Sequence, residues 1–355
     1  MKFSVIVPTR NRPELCLEAV GSVLSQTAHD FELVVVNDGS ADEHLAAYGG
    51  CQALCRDRLG EGAIFIDLPQ RPNGHGPAFA RNTGYAAASG DYICFLDDDD
   101  CWIDETYLET IADNIAKDDT PFDLHFASQL AYVNSERLER DAWIDGVRRV
   151  LSQRHGELDP RCSYPIEVMD LVNTGNHAHL NTTIIRRDLF AALDGFDEQL
   201  RYEEDRDLYL RAIDRAQTIR YLPAAIARHN VPDPSRRSNV SAIVSRLEKL
   251  LYQSRLIDKA ILFSQTPAVK SIGVTSKRHV LKHMAEELYG QGRYQEASFY
   301  ARQALLVGFN IKWLGFTLLT ISRSWRDGDP ATKGKTKAAQ WSRRPQLRPD
   351  DAETD

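Results

Sequence analysis

The stretch YICFLDDDDCW, residues 92–102, runs an apolar segment straight into four consecutive aspartates. Tyr92, Ile93, Phe95 and Leu96 suit a buried strand. Asp97, Asp98, Asp99 and Asp100 repel one another unless positive charge sits among them. The pattern predicts a strand covered on both faces whose C-terminal end has a use for concentrated negative charge. Carboxylates spaced one apart, as in Asp97-x-Asp99, offer oxygen ligands to a hard divalent cation, Mg2+ or Mn2+, whose shell substrate phosphates and water would complete. A solvated acidic loop is the plainer alternative. A structural calcium site is a further one, although no EF-hand spacing is present.

Working outward, KFSVIVPT (2–9), FELVVVND (31–38) and AIFIDLP (63–69) repeat the buried-strand pattern. Helical patterns separate them: 13–27 with Leu17, Val20 and Leu24 on one face, 41–59, and the alanine-rich 76–89. Strands alternating with helices predict an α/β fold with right-handed crossovers and a mostly parallel sheet. In such sheets ligands bind outside the C-terminal strand ends. Those ends carry PTRNR (8–12), NDGS (37–40) and the aspartate run, so Thr9, Asp38 and Asp97–Asp100 are expected to line one cleft. Asp38-Gly39-Ser40 alone reads equally well as a turn. Over 120–240, LHFASQLAYV and HLNTTIIRR read as strands, EEDRDLYLRAI as a helix and TIRYLP as a strand; from about 241 the pattern is helical.

Composition narrows the function classes. The net charge of −8 argues against a nucleic-acid partner, which calls for a basic face. Six cysteines without zinc-ribbon or CxxC spacing read as reduced thiols, and MKFSVIVPT enters a strand at once with no signal-peptide pattern, so a cytoplasmic location is expected. No G-x-G-x-x-G occurs, and the GKT at 334–336 lacks the glycine spacing and preceding strand of a phosphate loop.

FSVIVPTRNRPELCLEAVGSVLSQT, FELVVVNDGS, ARNTGYAAASGDYICFLDDDDCW and GFDEQLRYEEDRDLYLRA, in that order over about residues 2–230, together resemble the family 2 glycosyltransferases. The resemblance implies a GT-A fold, a nucleoside-diphosphate sugar donor (a UDP-sugar by the lean of the motifs), a divalent metal, and inversion at the anomeric carbon. Position by position it implies that Pro8, Thr9, Asn11 and Asp38 lie at the nucleotide, with Asp38 accepting from the base imide. Arg81 and Asn82 would pack beneath the nucleotide or touch its phosphates. The aspartate run matches the Asp-x-Asp-Asp metal motif: Asp97 would face ribose and metal, Asp98 the nucleotide, and Asp99 would be the principal metal ligand, with the register ambiguous by one. His229, in ARHN, would approach the metal and diphosphate. Inverting transfer needs a carboxylate to take the acceptor hydroxyl's proton; the family's Glu-Asp pair falls on Glu204-Asp205, with Asp205 as base. Glu203 reads as a helix-start acid. His177 and His179 read as satisfied or acceptor-side polar residues rather than metal ligands.

The sequence divides into a GT-A domain over 1–240, with its nucleotide-sugar half over 1–120 and its acceptor half over 120–240. A helical extension over 241–321 contains one hairpin that resembles a tetratricopeptide repeat (283–305), and 322–355 is a polar tail expected to be disordered. Residues 304–321, ALLVGFNIKWLGFTLLTI, read as a buried helix, an in-plane membrane helix or a span. Residues 322–349 hold eight Lys/Arg against two Asp, net +6, which suits peripheral contact with an anionic inner membrane leaflet. The implied acceptor is a carbohydrate or lipid-linked hydroxyl, in cell-surface polysaccharide or glycolipid synthesis. The alternatives are a nucleotidyltransferase, for which PTRNRPE lacks glycine and lysine, and an inactive nucleotide-sugar-binding scaffold.

Overall fold

The computed structural model describes residues 1–118, 121–133, 136–138, 143–231 and 244–327. The four aliphatic runs form β1 (Phe3–Thr9), β2 (Phe31–Asn37), β3 (Ala63–Asp67) and β4 (Tyr92–Phe95), with α1 (Pro13–Leu24), α2 (Asp42–Leu59) and α3 (Pro77–Ala87) between them. These strands are parallel in the order β3-β2-β1-β4. After β5 (Cys101–Trp102) and α4 (Tyr107–Asp118) come β6 (Leu124–Val133), β7 (Glu136–Arg137), α5 (Gly146–His155), β8 (Tyr164–Ile166), α6 (Val168–Val172), β9 (Thr183–Arg186), α7 (Arg187–Ala192), α8 (Glu204–Arg215) and β10 (Ile219–Asn230). They extend the same sheet as β4-β9-β6-β10-β5. Strand β9 runs antiparallel to both β4 and β6, and β6 and β10 are again parallel to each other. HLNTTIIRR is a strand only from Thr183; Leu180–Thr182 form a 3-10 turn.

The two faces of the sheet have separate cores. Val5, Val7, Leu33 and Val35 pack on one side against Cys16, Val20, Cys51 and Cys55 of the covering helices. Val20 and Leu24 of α1 are buried as expected, but Leu17 lies exposed, and Cys16, Ala19 and Val23 complete the buried face in its place. On the other side Phe95 meets Phe190 and Phe196 at ring distances of 5.7 and 5.1 Å. Helix α3 approaches β1 closely there, and a Cβ on Gly84 would come within 2.5 Å of Ile6 Cγ2. The outermost strand β3 is only half-buried, unlike the fully covered strand expected, because it has a neighbour on one side alone. All six cysteines are free thiols.

The chain continues as α9 (Arg246–Phe263), α10 (Pro267–Gly290), α11 (Tyr294–Val307) and α12 (Ile311–Asp327). It divides into two compact units, Met1–Val280 and a second from Leu281 onward. Within the first, Lys259 of α9 pairs with Asp207 of α8 at 2.6 Å. Within the second, Leu281, Ala285, Ala301, Ala304 and Trp313 form a small core, and the Trp313 indole donates to the Ala301 carbonyl at 3.0 Å. The apolar run 304–321 is not one helix: the chain leaves α11 at Gly308 and restarts at Ile311. No helix among the described residues is long and apolar enough to cross a membrane. Helix α12 runs on to Asp327, past the expected start of the polar tail at 322; the remainder of that tail lies outside the described residues.

At the N-terminal ends of the strands a buried carboxylate ties three of them together. Glu32 of β2 accepts from Ser4 Oγ of β1 and Ser89 Oγ before β4, both at 2.7 Å, and pairs with the Lys2 ammonium. Burial alone would raise its pKa, but the Lys2 ammonium and the Ser89 and Ser4 donors outweigh that and hold it at about 2, below the ordinary 4.5. A carboxyl depressed on folding stabilises fully above its unfolded value, so this contribution is present above about 4.5 and is lost as pH falls toward about 2. Glu32→Gln is expected to cost about 1.5–3 kcal/mol at neutral pH, the worth of a charged hydrogen bond, and to flatten the acid limb of the stability curve. Denaturant melts from neutral pH downward check both; an acid limb unchanged in the variant would place the acid sensitivity elsewhere.

Candidate active site

Strand ends β1, β2 and β4 meet as the topology requires. The Asp38 amide donates to the Thr9 carbonyl at 2.8 Å, and Thr9 Oγ1 donates to Asp98 Oδ2 at 2.8 Å. The four aspartates alternate in burial, Asp98 and Asp100 buried, Asp97 and Asp99 half-buried. The run is a turn closed by the Asp100 amide, which donates to the Asp97 carbonyl at 3.1 Å, and the turn sends its four side chains to different partners.

Asp98 faces inward onto Thr9 and onto Arg12, whose Nη1 lies 3.0 Å from both Asp98 Oδ1 and Asp99 Oδ2. Burial lifts Asp98 to about 6 against the pull of Arg12. Asp99 is lifted to about 7 by burial and then by the charges of Asp100, Asp98 and Asp97. The run therefore holds more negative charge than the nearby cations neutralise. Thr9 also meets the Tyr48 hydroxyl of α2 at 2.9 Å.

Asp100 is buried against the last residues of β10. Its Oδ2 lies 2.8 Å from His229 Nδ1 and accepts from Asn181 Nδ2 at 2.6 Å, while Oδ1 accepts the Asn230 amide at 2.7 Å. The His179 and His229 rings are 4.7 Å apart, and Trp143 packs edge-on to both. Donor atoms of Asp100, His179 and His229 lie within 4.8 Å of one another. Two imidazoles and a carboxylate could hold a divalent cation with further oxygens completing its shell, a mixed set that fits Mn2+ better than the oxygen-seeking Mg2+. The structure thus brings His229 to Asp100 and His179. Asp97 is the next carboxylate, 3.9 Å from His179, and Asp99 is turned to Arg12.

Asp97 and Glu204 share one cation. Arg81 of α3, buried, donates through Nη2 to Asp97 Oδ1 at 2.6 Å and through Nη1 to Glu204 Oε1 at 2.8 Å. Burial pushes Asp97 up, but Arg81 wins and holds it below the usual carboxylate range. Glu204, with the longer contact and Asp205 beside it, stays raised to about 7, chiefly by burial. Asp205 turns the other way. Its Oδ2 lies 3.7 Å from His177 Nε2, and this histidine, followed by His179, overcomes burial and holds Asp205 ionised. Glu203, with φ of +65°, precedes α8 and is held by Arg206 at 3.2 Å and Gln253 of α9 at 2.7 Å. Arg81, Asp97, His179, Arg201, Tyr202, Glu204 and Asp205 line a cavity of about 180 Å³.

The remaining candidates serve the loops around this cleft. Asp38 accepts the His75 and Gly76 amides at 2.7 and 2.9 Å, one on each carboxylate oxygen, and so fixes the start of α3. Gly74, at φ +62°, leaves room for that carboxylate where a Cβ would collide with it. Asn11, next but two to Pro8, accepts the Ala41 amide at 2.8 Å and joins the first two strand-end loops. Asn82 is not brought to the cleft: its amide is bonded to the Phe196 backbone at 2.9 and 3.0 Å. Arg12, Tyr48, Asn181 and Trp143 are not singled out by the sequence, and Asp100 is expected at the cleft only as part of the aspartate run, with no role of its own.

Residues 4–161 match the model of the family described as Glycosyl transferase family 2. The chain is 27% identical over 225 residues to the amylovoran biosynthesis glycosyltransferase AmsB of Erwinia amylovora, covering 60% of this chain and 64% of that one. It is 40% identical over 102 residues to an uncharacterized glycosyltransferase of Nostoc, covering 29% of each. It is 38% identical over 101 residues to the GalNAc(5)-diNAcBac-PP-undecaprenol beta-1,3-glucosyltransferase of Campylobacter jejuni, covering 28% and 30%. Each alignment spans less than two thirds of the relative's own length. In structure the chain is similar to S. aureus TarS 1-349 in complex with UDP-GlcNAc, at TM-score 0.61, 18% identity and 93% coverage of both chains. It is also similar to the mannosyltransferase PcManGT of Pyrobaculum calidifontis in complex with GDP-Man and Mn2+, at TM-score 0.54 and 15% identity, covering 94% and 88%. The α/β sheet flanked by helices, of GT-A type and followed by a helical region, is the fold observed.

Removing Arg81 leaves buried Glu204 and half-buried Asp97 without the cation they share. Arg81→Met is expected to destabilise by about 3–5 kcal/mol, the usual cost of breaking a buried ion pair from one side. Double substitution Arg81→Met with Glu204→Gln should recover part of it. Chemical denaturation of the three chains tests this; equal loss in single and double variants would mean that Arg81 and Glu204 are not coupled.

Proposed function

We propose that this chain, a member of the family 2 glycosyltransferases, moves a sugar from a nucleoside-diphosphate donor, a UDP-sugar, to a hydroxyl of a carbohydrate or lipid-linked acceptor, with inversion at the anomeric carbon. The observation that carries this reading is the meeting of two different carboxylate sets at one cleft. Asp97 to Asp100 end a parallel strand beside His179 and His229, and Asp205 faces the same cavity from another helix. UDP and UDP-GlcNAc bound to similar folds, and a relative named for a polyprenol-linked glycan, support the donor and acceptor classes.

Each residue's part follows from its surroundings. Thr9 and Asp38 stand at adjacent strand ends, and each Asp38 oxygen retains a lone pair beyond its backbone bond, enough to accept from a base imide. Asp100, His179 and His229, with Asp97 adjacent, would hold Mn2+ or Mg2+, which when bound offsets the charge developing on the departing nucleoside diphosphate. Arg81 clamps Asp97 to Glu204 and fixes the first turn of α8, so that Asp205 points into the cavity. Glu204 is spent on Arg81. Asp205, ionised beside His177, is placed to take the acceptor hydroxyl's proton as that oxygen attacks.

Two measurements test the reading. UDP binding by calorimetry should weaken at least about tenfold in excess EDTA, a loss of about 1.4 kcal/mol, and His229→Ala should weaken direct Mn2+ binding in the same way. Unchanged UDP affinity under chelation would take the cation out of the mechanism. Asp205→Asn should lower turnover by about 10²–10⁴-fold, the worth of a general base, while donor affinity moves less than about threefold. If Asp205→Asn keeps full turnover and Glu204→Gln is inactive, the base is Glu204. Donor binding without any hydrolysis or transfer by the unaltered chain would identify an inactive nucleotide-sugar binder.

A further inference from the structure

Helix α12 is amphipathic in the wrong sense for a protein interior. Its inward face carries Trp313, Thr317 and Thr320, and the two threonine hydroxyls are bonded to carbonyls of their own helix at 2.9 and 2.7 Å. Phe316 packs against the same core as Trp313, while Ile311, Leu318, Leu319 and Trp325 lie on the exposed side. Ile311, Leu318 and Trp325 are 72, 58 and 79% exposed. They stand seven residues apart and so form one stripe along the helix. Leu306 and Phe309, at the end of α11 and in the connection, are 80 and 69% exposed. Apolar surface gathered on one element in this way marks a contact with something else.

The charge beside the stripe identifies the partner. From Tyr300 to Arg326 there is no acidic residue, while Arg302, Lys312, Arg323 and Arg326 give net +4. Lys312, Arg323 and Arg326 are exposed and adjoin the stripe. The helix ends on Asp327, and beyond it residues 328–349 add six Lys/Arg against Asp329, ahead of the acidic end DDAETD at 350–355. A second copy would set like charges against each other across the contact. An anionic bilayer surface takes both features at once: acyl chains receive the apolar stripe, headgroups neutralise the bordering cations, and tryptophan is favoured at that boundary.

We propose that the α12 face formed by Ile311, Leu318 and Trp325, with Phe309 and Leu306 at its head and Lys312, Arg323 and Arg326 along its border, docks on the surface of an anionic lipid bilayer. The helix lies in the plane of the interface and does not cross it. The proposal is independent of the chemistry assigned to the cleft.

The test is sedimentation of the full chain with phosphatidylglycerol-containing vesicles and with pure phosphatidylcholine vesicles, at low and high salt. The chain should sediment with the anionic vesicles and be released in part by salt. Leu318→Glu with Trp325→Glu should abolish sedimentation without lowering the thermal midpoint, since both side chains are exposed. Arg323→Glu should weaken binding to the anionic vesicles by roughly fivefold or more, the worth of one basic residue near such a surface. Failure of the unaltered chain to sediment, or equal sedimentation of the double variant, overturns the proposal. Self-association without vesicles that the double variant abolishes would assign the face to a second copy and also overturn it.

Discussion

Arg81 holds the cleft together. One guanidinium joins α3, the end of β4 and the first turn of α8, through Asp97 at 2.6 Å and Glu204 at 2.8 Å. A buried carboxylate is expensive unless a fixed cation meets it with good geometry, and the planar fork of arginine meets two at once where lysine would offer a point charge. The consequences reach residues that Arg81 does not touch. Glu204 is drawn inward, so the next residue on the helix, Asp205, is turned toward the cavity and its histidine.

The same economy governs the four aspartates. Their alternation divides the load between two neighbourhoods. Asp98 is settled by Thr9 and Arg12, and Asp100 by Asn181, the Asn230 amide and His229. Asp99 and Asp97 stay half-open to the cleft, and Asp99 is the one whose pKa is pushed up, by burial and then by three like-charged neighbours. Residual negative charge beside two histidines is what a divalent cation and an anionic diphosphate could use together. A folded protein tolerates such a cluster where function requires it and seldom elsewhere.

The second unit follows a different logic. Its core is small, built on alanines and one tryptophan, and threonines fill positions that a longer apolar side chain would overpack. Trp313 and Phe316 of ALLVGFNIKWLGFTLLTI pack at that core, while Leu306, Phe309, Ile311 and Leu318 are left on the outside, a division that the sequence reading as a buried, in-plane or spanning helix does not resolve. A break at Gly308 and the restart at Ile311 shorten the run below membrane-spanning length.

The sequence by itself determined the alternation of strands and helices over the first 100 residues, the parallel order that follows from it, and the gathering of Thr9, Asp38 and the aspartate run at one edge. These are consequences of local period and crossover handedness, which a linear pattern carries. Tertiary structure decided what distance along the chain conceals. Arg81 meets Glu204 across 123 residues, and Asp100 meets His229 across 129. Arg12 finds its aspartate partners from the PTRNR strand end, and Tyr48 enters the site from a helix read only as sheet cover. Asn82, legible as a cleft residue by its place in ARN, is spent instead on the Phe196 backbone. The exposed stripe of α12 depends on which face the neighbouring helix covers. Hydrophobic period reveals that a helix has two faces, and packing volume decides which of them is buried.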